Sequence, residues 1–331
     1  MKKKIIAMLL SAAMCLSLAA CGQKADTPDT TDPAEPSGDA ATYTVGICQL
    51  VQHEALDAAT QGFIDALNEA LPGQVKFEEK NASGDSNSCA TIVNGFVSEG
   101  VDLIMANATA ALQAAASATS DIPVLGTSIT AYGVALDIDD FSGTVGGNVS
   151  GTSDLADLSK QADMITEWFP ETQKVGLLFC SAEPNSRYQI EEVAKNLSAK
   201  GIETKEFAFT DSNDVASVTQ SAADYADVVY LPTDNIAASN TEAIANVTVP
   251  AKTPVIAGEE GICKGCGVAT LSISYYDLGV TTGKMAAKIL TGEADISTMP
   301  IEFTTATPKY NASMCETLGI TPREGYTAIA E

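Results

Sequence analysis

Histidine is almost absent from this sequence, with His53 standing alone among 331 residues. Tryptophan is as scarce, represented only by Trp168, and aromatic residues make up 6% of the chain. Positive charge is also thin, with 18 Lys and Arg against 43 Asp and Glu, for a formal charge of −25. A surface this acidic repels phosphate backbones, which argues against a nucleic-acid partner. A single histidine leaves Ser or Cys nucleophiles without a choice of general base. No Gly-x-x-x-x-Gly-Lys-[Ser/Thr], Gly-x-Ser-x-Gly, His-Glu-x-x-His or Gly-x-Gly-x-x-Gly pattern occurs. Catalysis is therefore not expected, and neither is a cofactor. No stretch is apolar for long enough to span a bilayer, the nearest being Ile5 to Leu18.

That short apolar run follows Lys2, Lys3 and Lys4, which is the pattern of an export signal over residues 1–20. Its junction, Leu18-Ala19-Ala20-Cys21-Gly22, resembles the lipobox of bacterial lipoproteins. The resemblance implies cleavage before Cys21 and lipidation of that residue, so that the protein touches a membrane through its anchor only. Residues 21–42 are rich in Asp, Pro, Thr and Ala and hold almost no large apolar side chain. They read as a disordered tether, with a reach of roughly 25 Å as a flexible coil. About 290 residues remain, enough to bury a large core and to divide into two domains.

Eight cysteines need an account in an exported chain. Beyond Cys15 and Cys21 the remaining six are scattered, apart from Cys263-Lys264-Gly265-Cys266. One such pair and one histidine fall short of a metal site. A redox role would require the pair to open a helix after a strand. Between Gly261 and Gly267 it reads instead as a loop, holding a local disulfide or two free thiols.

Short apolar runs alternate with helical patterns, the signature of parallel sheets flanked by helices. Strands are expected at 45–50, 75–79, 103–106 and 124–129, and helices at 55–71, 88–99 and 110–120. After the Gly-rich stretch 143–151 the pattern restarts, with strands at 175–180, 203–209, 228–231 and 254–258 and helices near 189–199, 215–223 and 236–247. Val45-Gly46-Ile47-Cys48 opens one round and Val175-Gly176-Leu177-Leu178 the other. A further strand is expected near 269–275, ending at Tyr275 and Tyr276, then a helix over 278–290 that returns to the first round. The fold class is α/β with two similar lobes.

With both rounds laid out, the chain resembles the substrate-binding lipoproteins of ABC importers, in the branch that includes tryptophan and phenylalanine binders. The matching stretches include Val45-Gly-Ile-Cys-Gln49, His53-Glu-Ala-Leu-Asp57, Ala108-Thr109, Gly147 to Asp154, Glu183-Pro-Asn185-Ser186 and Ser212 to Val215. They continue through Pro232-Thr233-Asp234-Asn235, Glu259-Glu260-Gly261 and Tyr275 to Gly279. Each is short, and their shared order over some 280 residues makes the combination specific. Ala110 departs from the family proline after the threonine, and the Cys263 to Cys266 segment is unusual. The resemblance implies a type I periplasmic-binding fold: two doubly wound three-layer α/β/α lobes with parallel sheets, joined by a hinge. Lobe 1 would comprise 43–152 with about 275–300, and lobe 2 would comprise 153–274 with about 301–331. It further implies a monomer that hands its solute to an ABC permease powered by a separate ATPase.

In open parallel sheets ligands bind beyond the carboxyl ends of strands. Gln49 and His53 follow the first strand, Asn107 and Thr109 the third, and Ser128 belongs to the fourth. Ser181, Asn185 and Ser186 follow the first strand of the second round, and Thr233, Asp234 and Asn235 its third. Glu259 follows its fourth, and Ser153, Asp154 and Tyr275 belong to the segments expected to cross between lobes. An amino acid needs acceptors for its ammonium and donors for its carboxylate. Hydroxyls, amides and helix-start N–H groups, at Thr109, Ser181, Asn185 and Ser186, suit the carboxylate. Asp234 or Asp154 suits the ammonium. Ser, Thr, Asn and Asp are also preferred helix caps, which is the plainer role for each. His53, Glu54 and Asp57 could suggest a metal, but acids in a first helical turn answer the helix dipole, and no metal is expected. The rival reading is a same-fold module for a sugar or nucleoside or for a chemosensory receptor. A surface thiol-redox enzyme using Cys263 and Cys266 is the remaining alternative.

Overall fold

The structure, a computed structural model, describes residues 43–330. The expected signal, the tether and Cys21 lie outside the described residues. The first round runs β1 (Tyr43–Gln49), α1 (Glu54–Ala70), β2 (Val75–Asn81), α2 (Ser86–Glu99), β3 (Leu103–Asn107), α3 (Thr109–Ala118), β4 (Val124–Ile129), α4 (Tyr132–Ala135) and β5 (Val149–Ser153). The second runs α5 (Leu158–Trp168), β6 (Lys174–Cys180), α6 (Pro184–Ala199), β7 (Glu203–Phe209), α7 (Val215–Tyr225), β8 (Val228–Leu231), α8 (Asn235–Ala238), α9 (Thr241–Ala251), β9 (Val255–Ala257), α10 (Glu260–Cys266) and β10 (Ala269–Ser272). The chain closes with α11 (Tyr275–Leu290), β11 (Glu302–Phe303), β12 (Thr307–Tyr310), α12 (Ala312–Leu318) and β13 (Thr327–Ala328).

Strands β3, β4, β5 and β8 are buried along their whole length, as expected for central parallel strands covered on both faces. Two sheets result. One has the order β2-β1-β3-β4-β5-β11, all parallel, and the other β7-β6-β8-β9-β10-β12-β13. In the second, β12 runs antiparallel to β10 and β13 parallel to β12. Each sheet reverses its winding beside its first strand, which opens a crevice at the carboxyl ends there. The fold is α/β with two doubly wound sheets, helices lying on both faces of each.

The chain passes from one sheet to the other after β5, after β10 and after β11. Helix α11 belongs with the first sheet's layer because glycines let it touch α1 backbone to backbone. A Cβ on Gly279 would stand 2.0 Å from the Ala59 carbonyl oxygen, and one on Gly62 would stand 2.1 Å from that of Tyr276.

Several expectations change. No strand is expected in the Gly-rich stretch 143–151, yet Val149–Ser153 is a strand held between β4 and β11. Gly151 makes this possible, with φ at 143° and no room for a Cβ against the Gly126 carbonyl oxygen. The helix expected over 236–247 is two, α8 and α9. Tyr275 and Tyr276 open a helix instead of ending a strand, since the Ser274 side chain accepts the Asp277 N–H and caps α11. Glu302–Phe303 pairs with Thr152–Ser153, so the last crossing begins at residue 304, later than the 301 expected. Cys263 and Cys266 lie in helix α10, not in a loop, and both are buried free thiols.

Candidate functional site

A small cavity of about 10 Å³, room for roughly one water molecule, lies where strand ends from both sheets meet. From the first sheet come His53 and Leu56 at the start of α1, Ser128 and Thr130 at the end of β4, and Asp154 just past β5. Tyr275 enters from the start of α11. Opposite are Asn185 on α6, Thr233, Asp234, Asn235 and Ala238 around α8, and Glu259 before α10. No lysine or arginine lines it.

Three of its surrounding carboxylates spend their oxygens on backbone. Asp234 accepts the Cys180 N–H at 2.6 Å with one oxygen and the Ala237 N–H at 2.8 Å with the other. It thereby caps α8 and secures the end of β6. Glu259 accepts the N–H groups of Gly261 and Ile262 and caps α10. Glu183, missed as a site residue, accepts N–H groups of Asn235 and Ile236 and the side-chain amides of Asn185 and Asn235. Burial, then the neighbouring Asp234, pushes Glu183 up to about 8, and burial pushes Glu259 up to about 7.

Asp154 differs. Its Oδ2 accepts the Tyr275 hydroxyl at 2.8 Å, while its Oδ1 is buried and has no hydrogen-bond partner. Burial raises its pKa, opposed first by the Tyr275 hydroxyl and then by the nearby Thr130 hydroxyl. The Ser128 hydroxyl, in the same cavity, is also buried and unpartnered, and Ser128 holds a left-handed φ of 57° that a non-glycine residue rarely adopts. An acceptor and a hydroxyl thus stand unspent within one polar cavity, the pairing an ammonium and a carboxylate require.

Polar contacts cross the gap. His53 Nε2 and Asn235 Oδ1 are 3.2 Å apart, and the Thr130 and Thr233 hydroxyls 3.3 Å. Burial lowers the His53 pKa, so its neutral form is favoured there. Gln189, which donates to the Thr233 hydroxyl beside it, also reaches the Thr130 hydroxyl across the gap at 3.5 Å, and Lys264 reaches Glu54 at 3.3 Å.

Of the residues expected at a ligand, His53, Ser128, Asp154, Asn185, Thr233, Asp234, Asn235, Glu259 and Tyr275 line this cavity. The others do not. Gln49 bonds Asp57 and Thr60, and Asn107 bonds Thr60 and the Leu56 carbonyl, forming one network under α1. Thr109 is buried in the first turn of α3, and the Ser181 hydroxyl donates to the Phe209 carbonyl. Ser186 is buried behind Asn185, and Ser153 donates to the Thr130 carbonyl while lining an apolar cavity alongside. Thr130 was missed although it directly follows β4, the strand that carries Ser128, which was signal enough.

The family model for ABC transporter substrate binding protein matches residues 44–331. The chain belongs to that family. Its members capture solutes outside the cytoplasm for ABC transporters, and so does this chain; the family is not one of enzymes. The chain is 31% identical to the tyrosine-binding protein of Clostridioides difficile (strain R20291) over 299 residues, covering 88% of this chain and 85% of the relative. Among solved structures it is similar to the ABC domain in complex with L-Trp from Streptococcus pneumonia, at TM-score 0.82 and 31% identity, covering 88% and 100% of the two chains. A conserved domain protein of Vibrio cholerae also aligns at TM-score 0.82 with 30% identity, covering 87% and 99%. No helix among the described residues is long and apolar enough to cross a membrane.

Proposed function

We propose that the protein captures a zwitterionic amino acid with an aromatic or other apolar side chain between its two lobes and delivers it to an ABC permease. The observation that carries this is that the buried, unpartnered Oδ1 of Asp154 and the unpartnered Ser128 hydroxyl belong to residues lining one cavity. Asp154 accepts the ammonium, and Ser128 with Thr130 serves the carboxylate, the Asn185 amide being spent on Glu183 and the Thr233 carbonyl. Asp234 acts mainly as a cap, its oxygens being committed to backbone. A relative that is a tyrosine-binding protein and a solved relative in complex with L-Trp favour the aromatic choice. A sugar is less suited: the lone tryptophan packs edge-on against Tyr326 with ring centroids 5.1 Å apart, outside the cavity. Because the closed cavity is small, uptake requires the lobes to part at the three crossings and close again, a hinge motion. Lobe 1 is 43–153 with 275–303, and lobe 2 is 154–274 with 304–330. The body works as a monomer held to the membrane by lipidated Cys21. Thermal-shift screening against amino acids, sugars and nucleosides tests the reading, since ligand at 100 times its Kd adds about 2.7 kcal/mol of stability. Stabilisation by sugars or nucleosides, with none by aromatic amino acids, would overturn it.

A further inference from the structure

All six cysteines among the described residues are buried free thiols, but their surroundings differ. The Cys180 thiol donates to the Thr210 carbonyl and that of Cys266 to the Ile262 carbonyl. The thiols of Cys48 and Cys89 instead neighbour each other in the apolar cluster between β1 and α2. The neighbouring thiol and then burial push Cys48 up, while the neighbouring thiol draws Cys89 down.

The contact follows from how α2 lies on β1. Gly46 and Cys48 are two residues apart on a strand and face the same side of the sheet. The bare Cα of Gly46 admits the Phe96 ring, which stands 2.6 Å from where a Cβ would be. Phe96 and Cys89 are seven residues apart on α2, two turns along one helix face. Phe96 therefore covers Gly46 as Cys89 covers Cys48, and both thiols are wholly enclosed in the same apolar cluster.

We propose that after export Cys48 and Cys89 are joined by a disulfide that ties the carboxyl end of β1 to the first turn of α2. The oxidant is a disulfide, carried by an envelope thiol oxidase or a small oxidised dithiol. One cysteine thiolate attacks it, giving a mixed disulfide and releasing one thiol; the second cysteine then displaces the other. Two S–H bonds are exchanged for one S–S bond, and the oxidant disulfide becomes two thiols. Because neither sulfur reaches solvent in the folded chain, the exchange belongs to folding, and the finished bond is sealed from reductants. The tie holds the end of β1, from which the chain runs directly into the His53 turn at the cleft. It also closes a long loop of the unfolded chain, which stabilises the fold.

The test uses the full chain exported in its own cells. Thiols are blocked with a maleimide on intact cells and again during denaturation, and the digest is analysed without reduction. The expected result is one cross-linked peptide pair joining Cys48 to Cys89, two hydrogens lighter than its reduced parts. A maleimide label on both residues, or a cross-link to another cysteine, overturns the proposal. Strong reductant applied during heating should lower the Tm of the wild type by several degrees. Cys48→Ala with Cys89→Ala should abolish that response, whereas Cys263→Ala with Cys266→Ala should retain it. A reductant response surviving in the first double variant would place the bond elsewhere.

Discussion

Asp154→Asn separates ligand binding from scaffolding at a single atom. In the ligand-free protein Oδ1 is buried without a partner and Oδ2 accepts the Tyr275 hydroxyl. The amide keeps the shape and an oxygen for Tyr275, and it removes a carboxylate whose charged form burial already disfavours. Folding stability should therefore hold steady or rise slightly. Affinity should collapse, because the ligand's ammonium would be enclosed with no opposite charge. Removing one member of a buried charge pair costs about 3–5 kcal/mol, more than a hundredfold in Kd. Asp234→Asn should do the reverse. It has one acceptor oxygen for the two N–H groups of Cys180 and Ala237, so it should lose about 1–3 kcal/mol of stability while binding within a few-fold of wild type. Titration calorimetry with tyrosine and tryptophan, beside Tm measurements of both variants, reads the two effects separately. Wild-type affinity in Asp154→Asn, with binding lost in Asp234→Asn, would refute the assignment.

Gly279→Ala should destabilise by about 1–3 kcal/mol or more, since its Cβ meets the Ala59 carbonyl oxygen at 2.0 Å and α1 and α11 must part. Gly95→Ala, at a helix position with nothing within 4 Å, should instead be neutral or stabilising, and calorimetry showing equal effects would contradict the packing account. Burial raises Glu259 from 4.5 to about 7, so its contribution is fully present below 4.5 and lost as pH rises through 7. The Tm of the ligand-free protein should therefore fall between about pH 5 and 8, and Glu259→Gln should make the fall shallower; an unchanged slope counts against this. Glu183, raised by burial to about 8, keeps part of the slope in that variant. Cys21→Ala should leave a protein that folds and binds but no longer partitions into membranes, and retention there after a salt wash would reject the lipid anchor.

Much of the fold was legible because its signals are local. Apolar runs such as Val175 to Cys180 can hardly be anything but buried strands, and their alternation with amphipathic helices implies parallel sheets. The placement of His53, Asn185 and Thr233 to Asn235 beyond strand ends was readable in the same way, because it needs only strand direction. What escaped depends on partners distant in the chain. Val149–Ser153 becomes a strand through β4 and β11, the latter some 150 residues away, and no property of Gly147 to Gly151 announces it. The choice between Asp234 and Asp154 is of the same kind. Both are acids at strand ends in the sequence. Only the folded chain brings the Cys180 N–H to Asp234, across 54 residues, and leaves Asp154 with Tyr275, 121 residues away, and one oxygen unspent. Local sequence decides which groups exist and which element carries them, whereas the satisfaction of a buried charge is a sum over every neighbour that tertiary packing supplies.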